Sequence, residues 1–365
     1  MKLKKLFAGI VAVAMMATMA IPGFAAEVKA EDIQADTTTA NVTVSYKLAN
    51  AGTTSPAENF EFTIAKAGTQ YVATSAQPTL TIGKASFAKG AATTGGATAS
   101  ATIDLGAKNA TFTKPGIYNY FIEQTAGSTA GVTYAQSNKL LLKVTVFNKV
   151  INETTGATEI WKAYALYHLT DNSTASNWTV NGNKIEETAI ENLYTANVVN
   201  VSKTIKGSMA NRDQTFNFKA VFSVPESLTW TPDITFAENG ITATQNAAGE
   251  WEFVLGDKQQ IHFNNIPAGV TFYIAEADYT GEDDATGTKG YTTTYKYNNG
   301  ETVTAIQTSE LTMNKDAATV AYTNTKGGMI DTGVILDNAP YIALLTIVAA
   351  GAVVMIMKKR RNYED

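Results

Sequence analysis

Residues 199–205 read Val-Asn-Val-Ser-Lys-Thr-Ile. The period is two, so on a β-strand Val199, Val201, Lys203 and Ile205 share one face. Three of the four are β-branched and apolar, which makes that face the core face. Lys203 therefore points inward. A buried ammonium is costly unless it is paired or neutral, and burial lowers its pKa toward a nucleophilic free amine. A lysine at a strand end can also snorkel to solvent, so its company decides.

Two later strands supply that company. Glu276 follows Phe272 and Ile274 at spacing two, and Asn324 follows Val320 and Tyr322 at spacing two. Both fall on inward faces. A neutral lysine amine can attack a carboxamide carbon while a protonated carboxyl group hydrogen-bonds the carbonyl and shuttles protons. Lys203, Glu276 and Asn324 are thus the residue types needed for an intramolecular amide bond, with loss of ammonia. The fold would supply the proximity, worth roughly 7–11 kcal/mol in favourable cases.

The same alternation recurs along the chain. Val42, Val44, Tyr46 and Leu48 alternate with polar residues, as do Phe60, Phe62 and Ile64, then Tyr118, Tyr120 and Ile122. Gly-, Asn-, Asp- and Pro-rich turns separate the runs, and no sustained helical period appears. The expected class is all-β. An internal repeat sets the count at two sandwiches. Phe60-Glu61-Phe62 matches Phe216-Asn217-Phe218, Pro115-Gly116 matches Pro267-Ala268-Gly269, and Asn192 matches Asn324. The expected domains are residues 38–195 and 196–326, joined by a short linker.

The first half departs from the second at the inward polar positions. Asn192 is in place, but Lys47 is one residue out of phase with Val44 and Tyr46. On the strand that follows Pro115, Gln124 shares the inward face and Glu123 does not. A one-residue slip turns a side chain to the other face, and a β-bulge restores it. If this half carries a bond, its members are Lys47, Glu123 and Asn192.

Composition excludes much else. Among 365 residues there is no cysteine, which removes disulfides, thiol nucleophiles and cysteine-held metals. The two histidines, His168 and His262, stand in no catalytic or metal motif, so neither a metal nor a cofactor is expected. The formal charge of −5 argues against nucleic acid as a partner. No nucleophile elbow or paired-carboxylate motif supports a secreted enzyme. A self-modification that turns over once does not make the chain an enzyme.

Both ends read as sorting signals. Lys2, Lys4 and Lys5 precede an apolar run, Leu6 to Ala20, and small residues follow, so cleavage of a signal peptide is expected after Ala25. A second apolar run spans residues 339–357, enough for a transmembrane helix, with the basic tail 358–365 on the cytoplasmic side. Before it stands Met329-Ile330-Asp331-Thr332-Gly333. In this order of parts the C-terminus looks like a Gram-positive sortase substrate of the Leu-Pro-x-Thr-Gly type. That resemblance implies cleavage between Thr332 and Gly333 and transfer of the Thr332 carbonyl to an amine. Asp331 stands where pilin-type signals usually have Pro. Losing the three signal lysines, then four positive and three negative charges with residues 333–365, takes the charge from −5 to −9.

Taken together, the segments Val199–Gly207, Tyr273–Glu276 and Tyr322–Asn324, in order and spacing, resemble the streptococcal-type backbone pilins with isopeptide-linkage domains. The resemblance implies Ig-like (CnaB-type) sandwiches and a Lys203–Asn324 bond assisted by Glu276. It further implies a structural role as the repeating subunit of a covalent surface pilus on a Gram-positive cell. The implied partners are a sortase, neighbouring pilin subunits and peptidoglycan or a basal pilin, with the membrane involved only before sorting. In such pilins a lysine shortly before the Asn that ends the first domain receives the next subunit, and Lys184, eight residues before Asn192, stands in that place. The alternative is a wall-anchored adhesin that never polymerises, and Lys184 discriminates the two.

Overall fold

The computed structural model describes residues 35–327 except 153, 237–239 and 283–284. The signal peptide, the sorting pentapeptide with Thr332 and Gly333, and the second apolar run lie outside the described residues. Among the described residues, twenty-two strands and a single 3-10 turn make up the regular structure.

The first eleven strands are β1 (Thr39–Leu48), β2 (Glu58–Phe60), β3 (Phe62–Gln70), β4 (Ala85–Phe87), β5 (Ala97–Asp104), β6 (Gly116–Gln124), β7 (Val132–Thr133), β8 (Lys139–Asn152), β9 (Ala157–Leu169), β10 (Val180–Lys184) and β11 (Ile190–Tyr194). They form a four-stranded sheet, β5-β1-β11-β7, facing a five-stranded one, β10-β9-β8-β6-β3, with β2 and β4 paired beside them. The remaining eleven are β12 (Ala196–Lys206), β13 (Phe216–Ser223), β14 (Thr235–Phe236), β15 (Thr244–Gln245), β16 (Trp251–Leu255), β17 (Gln260–Pro267), β18 (Thr271–Glu276), β19 (Thr292–Tyr297), β20 (Thr302–Val303), β21 (Leu311–Thr312) and β22 (Ala318–Thr325). Their sheets are β14-β17-β12-β22-β19-β20 and β15-β16-β13-β18-β21.

Alternation explains the layering. Val42, Val44 and Tyr46 of β1 are fully buried, as are Val199, Val201 and Ile205 of β12. Each set packs on the inner face of the opposite sheet, giving one apolar core per sandwich. In both sandwiches the opening strand pairs in parallel with the closing one: β1 with β11, and β12 with β22. First and last strands therefore lie side by side in each core, so a bond between them would span the whole sandwich.

One residue, Thr195, separates β11 from β12. Its amide donates to Gly131 O at 2.8 Å, and its carbonyl accepts from Ala268 N at 3.0 Å. Gly131 has φ +81°, and a Cβ there would stand 2.6 Å from Thr195 O, so the junction needs glycine. Ala130 packs into the second core, its amide bonded to Thr229 O at 2.8 Å, and Lys89 pairs with Asp233 at 2.7 Å. The joint is hydrogen-bonded on several sides.

At the pole of the first sandwich away from this joint, an ion pair is buried. Lys162 Nζ lies 2.9 Å from Asp36 Oδ2, both side chains almost fully enclosed, and Lys162 N donates to Asp36 Oδ1 at 2.7 Å. It ties the entering chain to β9. Beside it, β8 and β9 run past the sheet as a two-stranded ribbon. The last rung that β6 shares with β8 is Gly116–Val146, whereas β8 continues to Asn152.

Candidate amide-bond site

The second sandwich brings Lys203, Glu276 and Asn324 together at the end of its core. Lys203 comes from β12, Glu276 from the last position of β18, and Asn324 from β22. All three are buried, and the side chains of Lys203 and Glu276 have no exposure at all. Lys203 Nζ donates to Glu276 Oε1 in a short contact. Asn324 Nδ2 donates to the same oxygen at 3.1 Å, and Thr293 Oγ1 donates to Glu276 Oε2 at 3.0 Å. The amine also lies 4.0 Å from the centroid of the Phe216 ring and 5.5 Å from that of Phe218.

The electrostatics follow from burial. Desolvation brings the Lys203 amine down from its usual range to about 8, although the Glu276 carboxylate pulls the other way. Desolvation likewise raises the Glu276 carboxyl, opposed by Lys203, Thr293 and Asn324. Both shifts favour the neutral pair, a free amine beside a protonated acid. Asn324 Oδ1 is buried and without a hydrogen-bond partner among the described residues. Turning the amide over and protonating Glu276 would give that oxygen a donor, polarising the carbonyl for attack.

Thr293 had no part in the sequence reading. Its signal was available: it stands in phase between Tyr291 and Tyr295, both buried, so a hydroxyl was due on the core side. The aromatic floor was half visible, since Phe216 and Phe218 mark the repeat, though nothing local says that they lie beneath the amine.

The first sandwich holds the corresponding places with different side chains. Asn324 pairs with Ile205, and Lys203 stands two residues earlier. Asn192 pairs with Tyr46, so the matching earlier residue is Val44, fully buried. Glu276 lies opposite Phe218, and Gln124 lies opposite Phe62. Gln124 and Asn192 exchange hydrogen bonds, Gln124 Nε2 to Asn192 Oδ1 at 2.8 Å and Asn192 Nδ2 to Gln124 Oε1 at 3.0 Å. Ala135 N adds a donor to Asn192 Oδ1 at 2.9 Å.

The trio Lys47, Glu123 and Asn192 is not brought together. The register of β1 runs without a bulge from Thr39 to Leu48, which keeps Lys47 off the core face. Its ammonium pairs with Glu191 on the outer side. Glu123 is one position out of phase with buried Gln124, next to Lys139 across the ladder.

Lys184 ends β10, an edge strand, where it pairs with Tyr167 of β9. Its Nζ lies 2.9 Å from Glu186 Oε1, and the side chain is partly exposed. Unlike Lys203, Lys184 is not enclosed in a core. Among the described residues there is no group of three or more His, Asp or Glu side chains placed to hold a metal ion.

Comparison with known proteins bears on both sandwiches. Residues 42–175 match the family described as the Spy0128-like isopeptide containing domain. Residues 197–326, which include the Lys203 site, match a domain of unknown function (DUF7601). A pilin of Streptococcus pyogenes serotype M1 is 24% identical over 269 residues, covering 71% of this chain and 72% of that one. The crystal structure of the major pilin from Streptococcus pyogenes superposes with a TM-score of 0.53 at 19% identity, covering 80% of this chain and all of that one. A point mutant of that pilin gives the same TM-score at 20% identity, covering 80% of this chain and 99% of its own.

Proposed function

We infer that this chain, whose first sandwich matches the Spy0128-like isopeptide containing domains, is a structural pilin subunit. It builds a cell-surface pilus on a Gram-positive bacterium by covalent polymerisation. The observation that carries the mechanism is the enclosed Lys203–Glu276–Asn324 cluster. Lys203 Nζ, as the free amine, attacks Asn324 Cγ while protonated Glu276 donates to the amide oxygen. One C–N bond forms. Glu276 passes the amine's proton to the departing nitrogen, the old C–N bond breaks, and ammonia leaves. Proximity and exclusion of water come from the packed core, so no further catalyst is needed.

On this reading a sortase cleaves between Thr332 and Gly333 and transfers the Thr332 carbonyl to Lys184 of the next subunit. Peptidoglycan or a basal pilin receives the last one. Intact-mass measurement on the mature chain tests the bond, with an expected deficit of one ammonia and none in Glu276→Gln. Full mass in the unmodified chain would end the isopeptide reading. The fold then stays that of a pilin-like sandwich pair without its staple.

A further inference from the structure

Lys184 stands at the end of a deformed edge. Val180 of β10 lies opposite Leu169 and Lys184 opposite Tyr167, so the step from one pair to the next is four residues on β10 and two on β9. The surplus is a β-bulge in Asn181-Gly182-Asn183, with Gly182 at φ +87°. Bulges concentrate at sheet edges and beside reacting groups, where they re-aim a side chain. Past the bulge the chain is pinned again. Ile185 N donates to Leu166 O at 2.9 Å, and the Ile185 side chain packs against the first core. Lys184 and Glu186 flank that inward residue at spacing two, so both stand on the outer face of the sheet. There Lys184 Nζ meets Glu186 Oε1 at 2.9 Å, the glutamate side chain 70% exposed and the lysine side chain 23%.

This ion pair differs from others on the first sandwich. Lys47–Glu191, Lys108–Glu159 and Lys162–Asp36 each bridge separate elements, so their carboxylates brace the fold. Lys184 and Glu186 are two residues apart, and Ile185 between them already holds the backbone, so the pair braces nothing. Such an exposed local pair adds little to stability. Its chemistry is that of the Lys203–Glu276 pair, an amine beside a carboxylate that can take its proton, but without an enclosing core. A partner that covers the edge would supply the enclosure.

A lysine amine needs a proton acceptor before it can react. Near pH 7 an ordinary one is free of its extra proton in only about one molecule in 2,500. The other ionisable groups nearby are poorly placed to take that proton. Tyr167 shares the outer face directly across the ladder, but burial raises its phenol, which keeps its own proton. His168, next along β9, lies opposite Leu140 and so faces the core, where burial lowers its imidazole. Glu187 follows at a bend, out of phase with Lys184.

Resting on the pilin reading, we propose that Glu186 is the proton acceptor for the Lys184 amine in subunit joining, acting once the sortase covers this edge. The neighbour's Thr332 carbonyl arrives bonded to the enzyme as an ester or thioester. Glu186 takes one proton from the Lys184 ammonium. The free amine attacks the carbonyl carbon, and an N–C bond forms. The bond from that carbon to the enzyme's oxygen or sulfur breaks, and that atom leaves with the amine's second proton. Glu186 then returns its proton to solvent. Excluding water favours the first transfer, because both charges of the pair lose their hydration.

The test uses membranes from a Gram-positive host that carries a pilus sortase and displays the full chain. The readout is the initial rate of the first covalent rung on denaturing gels at pH 6.5, 7.5, 8.5 and 9.5, as a ratio of variant to unmodified chain. Glu186→Gln should slow the rung at least tenfold at pH 6.5, the scale of a lost general base. The loss should shrink toward pH 9.5, where solvent takes the ammonium's proton unaided. Glu186→Asp, which keeps a carboxylate, should run faster than Glu186→Gln. A ratio near one at pH 6.5, a loss of equal size at every pH, or no gain in Glu186→Asp would overturn the proton acceptor and leave Lys184 as the joining residue. Lys184→Arg should give no rung. A rung in Lys184→Arg would overturn the acceptor lysine, and the role of Glu186 with it. Absence of a rung in the unmodified chain would overturn the polymer reading itself.

Discussion

In the second sandwich Lys203 and Asn324 meet beside Glu276, while in the first Val44, Asn192 and Gln124 occupy the matching places. The scaffold is the same, a parallel pair of opening and closing strands with an inward acid or amide arriving from the opposite sheet. Two of three side chains differ, and the differences compensate. Without an amine there is nothing for an acid to protonate, and a buried carboxyl would lack a cationic partner. A neutral amide satisfies Asn192 instead. The first sandwich is thus closed by hydrogen bonds where, on the proposed reading, the second is closed covalently.

On the proposed reading, position in the polymer explains why this is tolerable. With Lys184 as the acceptor, tension enters at β10, runs through β11, Thr195 and β12 to Lys203, crosses to Asn324 and leaves through Thr332. Strands β1 to β9 lie outside that path, whereas nearly all of the second sandwich would lie inside it without the Lys203–Asn324 bond. On that reading the staple would sit where load would otherwise unravel a domain.

The largest expected effect breaks the comparison from the second side. Asn324→Ala or Glu276→Gln should abolish the ammonia deficit and open a loop of roughly 120 residues. Loop-closure entropy puts the loss at about 5 kcal/mol. For a domain of this size the melting temperature of the second transition should fall by roughly 10 °C or more. Differential scanning calorimetry checks it. A variant that still shows the deficit, or melts unchanged, would mean that the bond lies elsewhere.

The comparison can also be broken from the first side. Val44→Lys with Gln124→Glu should install the missing amine and acid around Asn192. If the scaffold is equivalent, the double variant should lose a second ammonia, while Val44→Lys alone should lose none and be destabilised by a buried unpaired amine. A folded double variant that keeps its full second mass would show that the Phe216 floor or Thr293 is indispensable.

How much of this was legible in the sequence depends on range. The phase of Lys203, Glu276 and Asn324 is a local property, readable from apolar neighbours two residues away, and so was the misplacement of Lys47. Gln124 was visible as an inward side chain for the same reason. That Val44 fills the lysine place was not, because it depends on the parallel register between strands more than 140 residues apart. The Lys162–Asp36 pair was hidden likewise, since each residue alone looks like an ordinary surface charge. The ribbon had no sequence signal of its own, because nothing local says where β6 stops accompanying β8.

A smaller effect sharpens the electrostatic half of the comparison. In Glu276→Gln the bond cannot form, and burial alone acts on Lys203, which already sits near 8 with the carboxylate present. A lowered folded-state pKa means that the unfolded chain binds the proton more tightly, so protonation favours unfolding. Without the carboxylate the folded-state value falls below 8, so stability should rise with pH from below 8 toward the ordinary lysine value near 10.4, with a slope of at most about 1.4 kcal/mol per pH unit. Urea midpoints at pH 7.5 and 9.5 read it directly. The first sandwich has no lysine in this place, and only the half-buried Lys143 of β8, lowered by burial, acts there in the same direction, so its transition should show a smaller rise.

The finest distinction concerns the amide pair itself. In Asn192→Ala the Gln124 side chain loses both of its reciprocal hydrogen bonds, and Ala135 N loses its acceptor. The cost should be about 1–3 kcal/mol, that of leaving buried polar groups unmet. In Asn192→Ala with Gln124→Leu, the unmet amide is replaced by an apolar side chain, and much of the loss should return. Such recovery has no counterpart in the second sandwich, because no hydrophobic substitution replaces a covalent bond. If Asn192→Ala costs nothing, the amide pair does not hold the first and last strands of the first sandwich together, and apolar packing around Val44 and Tyr46 closes it instead.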